Sequence, residues 1–205
     1  MSIFGRLSSL LGCPAFYRCF GQVVRGNAPN IYLNEYVKPV AGEKVLDIGC
    51  GPADILDYMP DVQYTGFDIS REYIAAAQKR FGNKGRFFCE DVNMIDIERE
   101  WGTFNLVMAT GVVHHLDDAQ AAQLFDLARM ALRPDGRLIT FDGCYVSGQS
   151  QITAWLLGKD RGGFVRAQSE YARLASASFS KVEAHVRHDL LRIPYTHLIM
   201  RCSSA

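Results

Sequence analysis

The stretch VLDIGCGPAD, residues 45–54, decides the reading of this chain. Val45, Leu46 and Ile48 make a short apolar run that ends at Gly49, Gly51 and Pro52. An apolar strand that feeds a glycine turn is the opening of a βαβ unit. Without a Cβ the turn is tight, and a ligand can approach the backbone closely. In the dinucleotide fingerprint G-x-G-x-x-G the third glycine opens the helix, but here Asp54 holds that place. A carboxylate there repels a pyrophosphate, which counts against a nicotinamide or flavin dinucleotide and favours a ligand with a cationic part.

Outward from this turn, apolar runs alternate with helical periodicity. The pattern predicts strands over 44–48, 63–69, 86–89, 104–109, 137–141, 181–187 and 195–201. It predicts a short helix over 55–59 stopped by Pro60, and a helix over 71–81 capped by Ser70 and ended by Gly82. A further helix starts at Asp117 or Asp118 and runs through Leu132, and another spans 168–177; residues 133–136 form a turn. This alternation implies an α/β fold, a doubly wound seven-stranded mostly parallel sheet with helices on both faces.

Composition agrees with one globular domain. The chain has 205 residues, 48% hydrophobic and 21% charged, which excludes a disordered tail and a collagen-like repeat. Its 22 basic and 22 acidic side chains give a formal net charge of zero, unlike a broadly basic nucleic-acid binder. The charges are segregated, however. Residues 1–46 carry 5 basic and 2 acidic groups, residues 47–142 carry 9 and 16, and residues 143–205 carry 8 and 4. The middle is therefore acidic and both ends are basic. The six cysteines are scattered with no CxxC pair, so they read as reduced thiols of a cytoplasmic protein. Ile3, Phe4, Leu7, Leu10 and Leu11 follow helical spacing with Arg6 among them, an amphipathic helix packed on the domain. Neither a secretory signal nor a stretch of about 18 apolar residues is expected, so no membrane insertion either.

Asp68 ends the second predicted strand, 17 residues after Gly51. A carboxylate there suits two ribose hydroxyls, which it accepts from in bidentate fashion; the alternative is a plain turn residue capping the next helix. Glu90, Asp91 and Val92 follow the third strand, where a carboxylate accepts from an adenine amino group and the next N–H donates to the ring; a solvated loop charge is the alternative.

Four motifs in order, VLDIGCGPAD, GFDIS at 66–70, CEDVN at 89–93 and FNLVMATGVVHHL at 104–116, resemble those of class I S-adenosylmethionine-dependent methyltransferases, of the small bacterial kind that acts on metabolites. The resemblance covers residues 30–142. Where the family has a third glycine in its first motif, this chain has Ala53. The resemblance implies a Rossmann-like methyltransferase fold. It also implies a helical N-terminal cap over 1–40, a cofactor-binding core over 41–142, and an acceptor-side segment with the last strands over 143–205, all in one domain. It implies that Asp47, Gly49, Cys50 and Gly51 hold the methionine part, that Asp68 binds the ribose and that Ile69 packs on the adenine. It assigns the adenine edge to Asp91 and Val92, and places Thr110 near the amino group. The doubly cationic cofactor also suits the acidic middle of the chain. Tyr32 is a further candidate for contact with it.

Methyl transfer from a sulfonium is an in-line displacement, with S-adenosylhomocysteine as the product, and needs chiefly alignment. A general base assists a hydroxyl or protonated amine, and His114 and His115 lie at the mouth of the fourth strand, where ligands of an open parallel sheet bind. Either could be the base, or one could pack on the cofactor while the other caps the next helix. His185, His188 and His197 read as packing residues. No metal site is expected: Thr110 stands where metal-dependent relatives place a carboxylate, and Asp142 alone is too little. The fourth strand also lacks the Asn/Asp-Pro-Pro-aromatic motif of nucleic-acid amino methyltransferases. The acceptor is expected to meet residues 1–40, with Phe16, Tyr17, Phe20, Tyr32 and Tyr36, and the stretch 143–168, with Tyr145, Trp155 and Lys159. Arg161, Arg166 or Arg192 is a candidate to bind an anionic group on it; solvated surface is the alternative. A monomer or homodimer is expected. The same motifs are also compatible with a cyclisation or rearrangement on this fold and with a non-catalytic partner subunit. A dehydrogenase is less compatible, given Asp54 and the short chain.

Overall fold

The computed structural model describes residues 26–91, 100–159 and 162–204. Among these residues there are eight strands: β1 Lys44–Ile48, β2 Gln63–Asp68, β3 Gly85–Cys89, β4 Phe104–Thr110, β5 Leu132–Tyr145, β6 Arg166–Ala167, β7 Lys181–Arg187 and β8 His197–Ser203. Seven lie side by side in the order β3-β2-β1-β4-β5-β8-β7, and the two-residue β6 pairs with the end of β5. The pairs among β1 to β5 are parallel, and β8 runs antiparallel between β5 and β7. The α/β, seven-stranded and mostly parallel expectation holds.

The chain enters through α1, Ala28–Ile31, which continues as a π-helical turn over Tyr32–Val37. The other helices are α2 Arg71–Phe81, α3 Asp118–Ala131, α4 Gln151–Gly158 and α5 Gln168–Ser176. The starts of α2, α3 and α4 follow from side-chain capping. The Ser70 hydroxyl accepts the Tyr73 N–H, Asp117 and Gln120 form a reciprocal capping box, and Ser150 accepts the Thr153 N–H. Strand side chains alternate between the two sheet faces. Leu46, Ile48, Val107 and Leu138 share one core with Leu124 and Phe125 of α3 and Leu174 of α5. Val45, Leu106, Met108 and Ile139 share the other with Ile74 and Phe81 of α2 and with Tyr32, Leu33 and Val37. The described part of the N-terminal cap is pinned by two arginines. Arg137 donates to Val37 O and Lys38 O and pairs with Glu43, and Arg187 donates to Glu35 and the Tyr36 hydroxyl.

Several boundaries differ from expectation. The helix expected over 55–59 is a 3-10 turn, Asp54–Asp57. Ala53 enters it with φ +57, and Pro60 lies too near for an α-helical turn to propagate. The turn over 133–136 is a bulge within β5: Leu132 pairs with Phe104 and Arg137 with Leu106, so four residues loop out of the ladder. β8 starts two residues later than expected, after Pro194. The helix α4 and the strand β6 carry no local signal that the sequence reading picked up. The amphipathic helix expected near the N-terminus, with Phe16, Tyr17 and Phe20, lies outside the described residues, as do Val92 and Arg161. Among the described residues no helix is long and apolar enough to cross a membrane.

Candidate active site

The carboxyl ends of β1, β2 and β3 are laced together by backbone bonds. Gly49 N and Cys50 N both donate to Phe67 O, and Glu90 N donates to Asp68 O. The turn needs left-handed backbone: Gly49 has φ +73 and Gly51 φ +55. A Cβ on Gly49 would run into Val112, whereas one on Gly51 would meet nothing within 4 Å, so the turn is packed on one side and open on the other. Ala53 stands at φ +57 where the family's third glycine falls, and its methyl is fully buried. The left-handed strain of about 1–2 kcal/mol is therefore tolerated. Asp68 Oδ2 accepts from Gly51 N of this turn at 2.9 Å, and Oδ1 accepts from Ser70 N at the head of α2 at 2.8 Å. Each retains a lone pair for a further donor. Ile69 beside it is 72% exposed, an apolar side chain left open at the sheet edge. Asp91 is exposed past the end of β3. The Cys50 thiol packs against Gly66 of β2, and burial pushes its ionisation up, so it is a neutral filler.

Beneath the turn, Asp47 is 3% exposed. Its Oδ2 accepts the Tyr64 hydroxyl at 2.5 Å, while Oδ1 has no hydrogen-bond partner among the described residues. Burial, together with the nearby Asp68 charge, pushes its carboxyl up to about 7, against the opposing pull of the Tyr64 bond. Across the sheet the Tyr32 hydroxyl and Thr110 Oγ1 lie 3.2 Å apart, which joins the N-terminal cap to the end of β4. Burial and the Asp47 and Asp142 carboxylates hold the Tyr32 phenol well above its ordinary range. These observations fit the cofactor implied by the resemblance. A buried carboxylate oxygen lacks a donor, the Gly51 side of the turn is open, and an exposed apolar side chain adjoins a ribose-type acceptor.

The two histidines separate. His114 is 7% exposed in a 3-10 turn, Val113–His115, and His115 is exposed with its ring 4.2 Å from that of His114. Asp142, near the end of β5 and 2% exposed, approaches His114 Nδ1 at 2.8 Å and also accepts the His114 N–H. In the sequence Asp142 stands only as a lone carboxylate, too little for a cation site, and nothing local pairs it with His114. A carboxylate inside an apolar strand was the available signal. The segment after α4 closes over the same histidine: Phe164 N donates to His114 O, and a Cβ on Gly162 would collide with the His114 ring.

The arginine expectation needs correction. Arg166 is 7% exposed, and all five of its N–H bonds are engaged, with Asp118, Val113 O, Leu116 O and Phe164 O. It is an internal brace and has no donor left for an acceptor. Arg192 is exposed beside Gly26. His185 packs on Tyr36, His188 meets the Thr196 hydroxyl, and His197 stacks on Phe141, as packing residues do.

Residues 45–136 match the family profile described as a methyltransferase domain. A phosphoethanolamine N-methyltransferase of Triticum aestivum is 28% identical over 190 residues, covering 87% of this chain and 36% of its own length. The chain spans between 25% and 51% of the length of curated relatives it matches. In fold it is similar to a TehB-like SAM-dependent methyltransferase from Corynebacterium glutamicum. That likeness has TM-score 0.63 and 18% identity, over 94% of this chain and 100% of that one. It is also similar to a Haemonchus contortus phosphoethanolamine N-methyltransferase 2 in complex with S-adenosyl-L-methionine, with TM-score 0.70 and 14% identity, over 87% of this chain and 52% of that one.

Proposed function

We propose that the chain is a class I S-adenosylmethionine-dependent methyltransferase, a reading supported by the methyltransferase-domain match over residues 45–136, and that it moves a methyl group from S-adenosylmethionine to an oxygen or nitrogen of a small-molecule metabolite. One observation carries this reading: the unpaired, buried Oδ1 of Asp47 under an open glycine turn. A buried carboxylate oxygen without a donor is costly, and an ammonium group relieves that cost where a phosphate would raise it. Asp47, Gly49, Cys50 and Gly51 would hold the methionine part, with Tyr32 and Thr110 close by. Asp68 would hold the ribose, Ile69 would pack on the adenine, and Asp91 and Val92 would read its edge.

Bound there, S-adenosylmethionine supplies a methyl group on positively charged sulfur, an activated leaving group. The chain's own residues align the acceptor and exclude water, and alignment of this kind corresponds to effective molarities of about 10⁵ M or more. His114 and His115 stand at the acceptor end as candidate bases. The wheat phosphoethanolamine N-methyltransferase supports a small polar acceptor with an anionic group. With Arg166 engaged internally and Arg161 outside the described residues, the exposed Arg192 is the remaining candidate for such a group. The described cysteines, Cys50, Cys89, Cys144 and Cys202, are free thiols, which supports a reducing, cytoplasmic setting.

Calorimetry with S-adenosylhomocysteine tests the cofactor half, and its failure to bind the unmodified protein would defeat the reading. Incubation with S-adenosylmethionine and a metabolite panel tests the rest. One S-adenosylhomocysteine is expected per methylated product, whereas product without it would favour a cyclisation or rearrangement on the same fold.

A further inference from the structure

Asp47 is buried near the end of β1, and no positive charge is buried with it. It is 3% exposed. Its Oδ2 takes the Tyr64 hydroxyl at 2.5 Å, and Oδ1 has no hydrogen-bond partner among the described residues. The ionisable groups that interact with it are Tyr64 and Asp68 from β2, Cys50 from the glycine turn and Tyr32 from the N-terminal cap. None of these is a cation. Burial pushes the Tyr64 and Tyr32 phenols and the Cys50 thiol up, so all three stay neutral. The charge among them is a second carboxylate, Asp68, which holds the same turn through Gly51 N. Burial and a like charge both favour the acid form of a carboxyl group, and an opposite charge favours the ionised form. The site is therefore built for a cation that the described residues do not supply.

We propose that the ligand-free protein holds Asp47 as a carboxylic acid and that the ammonium group of the incoming cofactor takes the place of that proton. The proposal rests on the methyl-transfer reading above, which puts the methionine part at Asp47. Tyr64 donates to Oδ2, so the acid hydrogen sits on Oδ1. On binding, this hydrogen leaves to solvent as a proton, its bonding electron pair stays on the carboxylate, and the ammonium donates to the freed oxygen. One positive charge enters as one leaves, so the buried carboxylate is never left ionised without a partner.

The exchange makes cofactor binding depend on pH. Burial and the Asp68 charge push the Asp47 carboxyl up to about 7. Below that pH the free protein carries a proton that the complex does not, so acid weakens binding. Nearly one proton should leave per S-adenosylhomocysteine bound at pH 6, and about half a proton at pH 7. Affinity should fall about 10- to 30-fold from pH 7.5 to pH 5.5.

The test uses the full chain and calorimetry in buffers of different ionisation enthalpy, which reads the protons exchanged on binding. S-adenosylhomocysteine is compared with 5′-methylthioadenosine, which keeps the adenosine and the thioether but has no ammonium. Release near one proton at pH 6 is expected with the first ligand and close to none with the second. Little or no release with S-adenosylhomocysteine, or equal release with both, overturns the proposal. Asp47→Asn cannot ionise there, so it should release no proton and bind with the same affinity at pH 5.5 and pH 7.5. A variant that still releases the proton overturns the proposal too. Carboxyl ¹³C spectra of the ligand-free protein give a check that does not depend on how the variant binds. One aspartate should titrate near pH 7 and lose that titration when S-adenosylhomocysteine is added; if no aspartate does so, the proposal fails. If S-adenosylhomocysteine does not bind the unmodified protein at any pH in this range, the methyl-transfer reading falls and this proposal with it. If it binds without releasing a proton, only the present proposal falls.

Discussion

Gly51 donates its backbone N–H to Asp68 Oδ2 at 2.9 Å, so the turn after β1 and the end of β2 are held by one carboxylate. The second oxygen holds Ser70 N at the head of α2. Asp68 thus shapes the turn before any ribose reaches it. Asp68→Ala should therefore weaken S-adenosylhomocysteine binding by more than one lost ribose contact. Hydrogen bonds to charged groups contribute about 1.5–3 kcal/mol each, so a loss of roughly 100-fold or more is expected in calorimetry. Asp68→Asn, which keeps one acceptor, should fall between. An Asp68→Ala affinity within threefold of the unmodified protein would show that the carboxylate serves the turn alone.

Asp47 makes stability depend on pH in the direction opposite to an ordinary salt-bridged carboxylate. Its folded-state pKa is raised to about 7 by burial, while in the unfolded chain it is near 3.9. Between these values the folded state holds the proton and the unfolded state does not, so this group costs stability as pH rises and the full cost is reached above about pH 7. Asp47→Asn removes the titration. Relative to the unmodified protein, the variant should gain about 2–3 kcal/mol between pH 5 and pH 8 in urea denaturation without ligand. A stability difference that is flat across that range would mean Asp47 stays ionised in the fold.

Much of this was legible in local spacing. Ser70 followed by an amphipathic run places α2 at 71–81, and the apolar run into Gly49 places β1 and its turn. The His114–Asp142 pair was not, because its members are 28 residues apart and meet only through the parallel pairing of β4 with β5. Arg166 was misread for a related reason. A buried guanidinium and a solvated one look alike in sequence, and what separates them here is that the carbonyls of Val113, Leu116 and Phe164 converge on this one. The left-handed Ala53 shortened the helix after the turn, a backbone conformation that its side chain does not announce.

Gly162 sits where a methyl group would meet the His114 ring and come within 2.7 Å of the His114 carbonyl oxygen. Gly162→Ala must therefore push the covering segment off the histidine or turn the ring away from Asp142. Overpacking of this kind costs about 1–3 kcal/mol. The expected signature is a lower urea midpoint together with loss of turnover, while S-adenosylhomocysteine affinity, which depends on the β1 and β2 ends, changes little. Turnover equal to that of the unmodified protein would show that the covering segment has no part in acceptor alignment.

Arg166 provides the sharpest contrast between a brace and a binding residue. Its guanidinium closes the turn that carries both histidines, by bonding the carbonyls of Val113 and Leu116, and ties it to Phe164 and to Asp118 at the head of α3. Arg166→Ala leaves the Leu116 and Phe164 carbonyls without this donor and Asp118 without its nearer partner, at a cost of about 3 kcal/mol. Arg166→Lys should recover little of it, because an ammonium group lacks the planar fork that reaches four acceptors at once. Urea denaturation should therefore show both variants destabilised, alanine more. If instead stability holds and only the acceptor KM rises, the guanidinium faces the substrate and the bracing role is wrong.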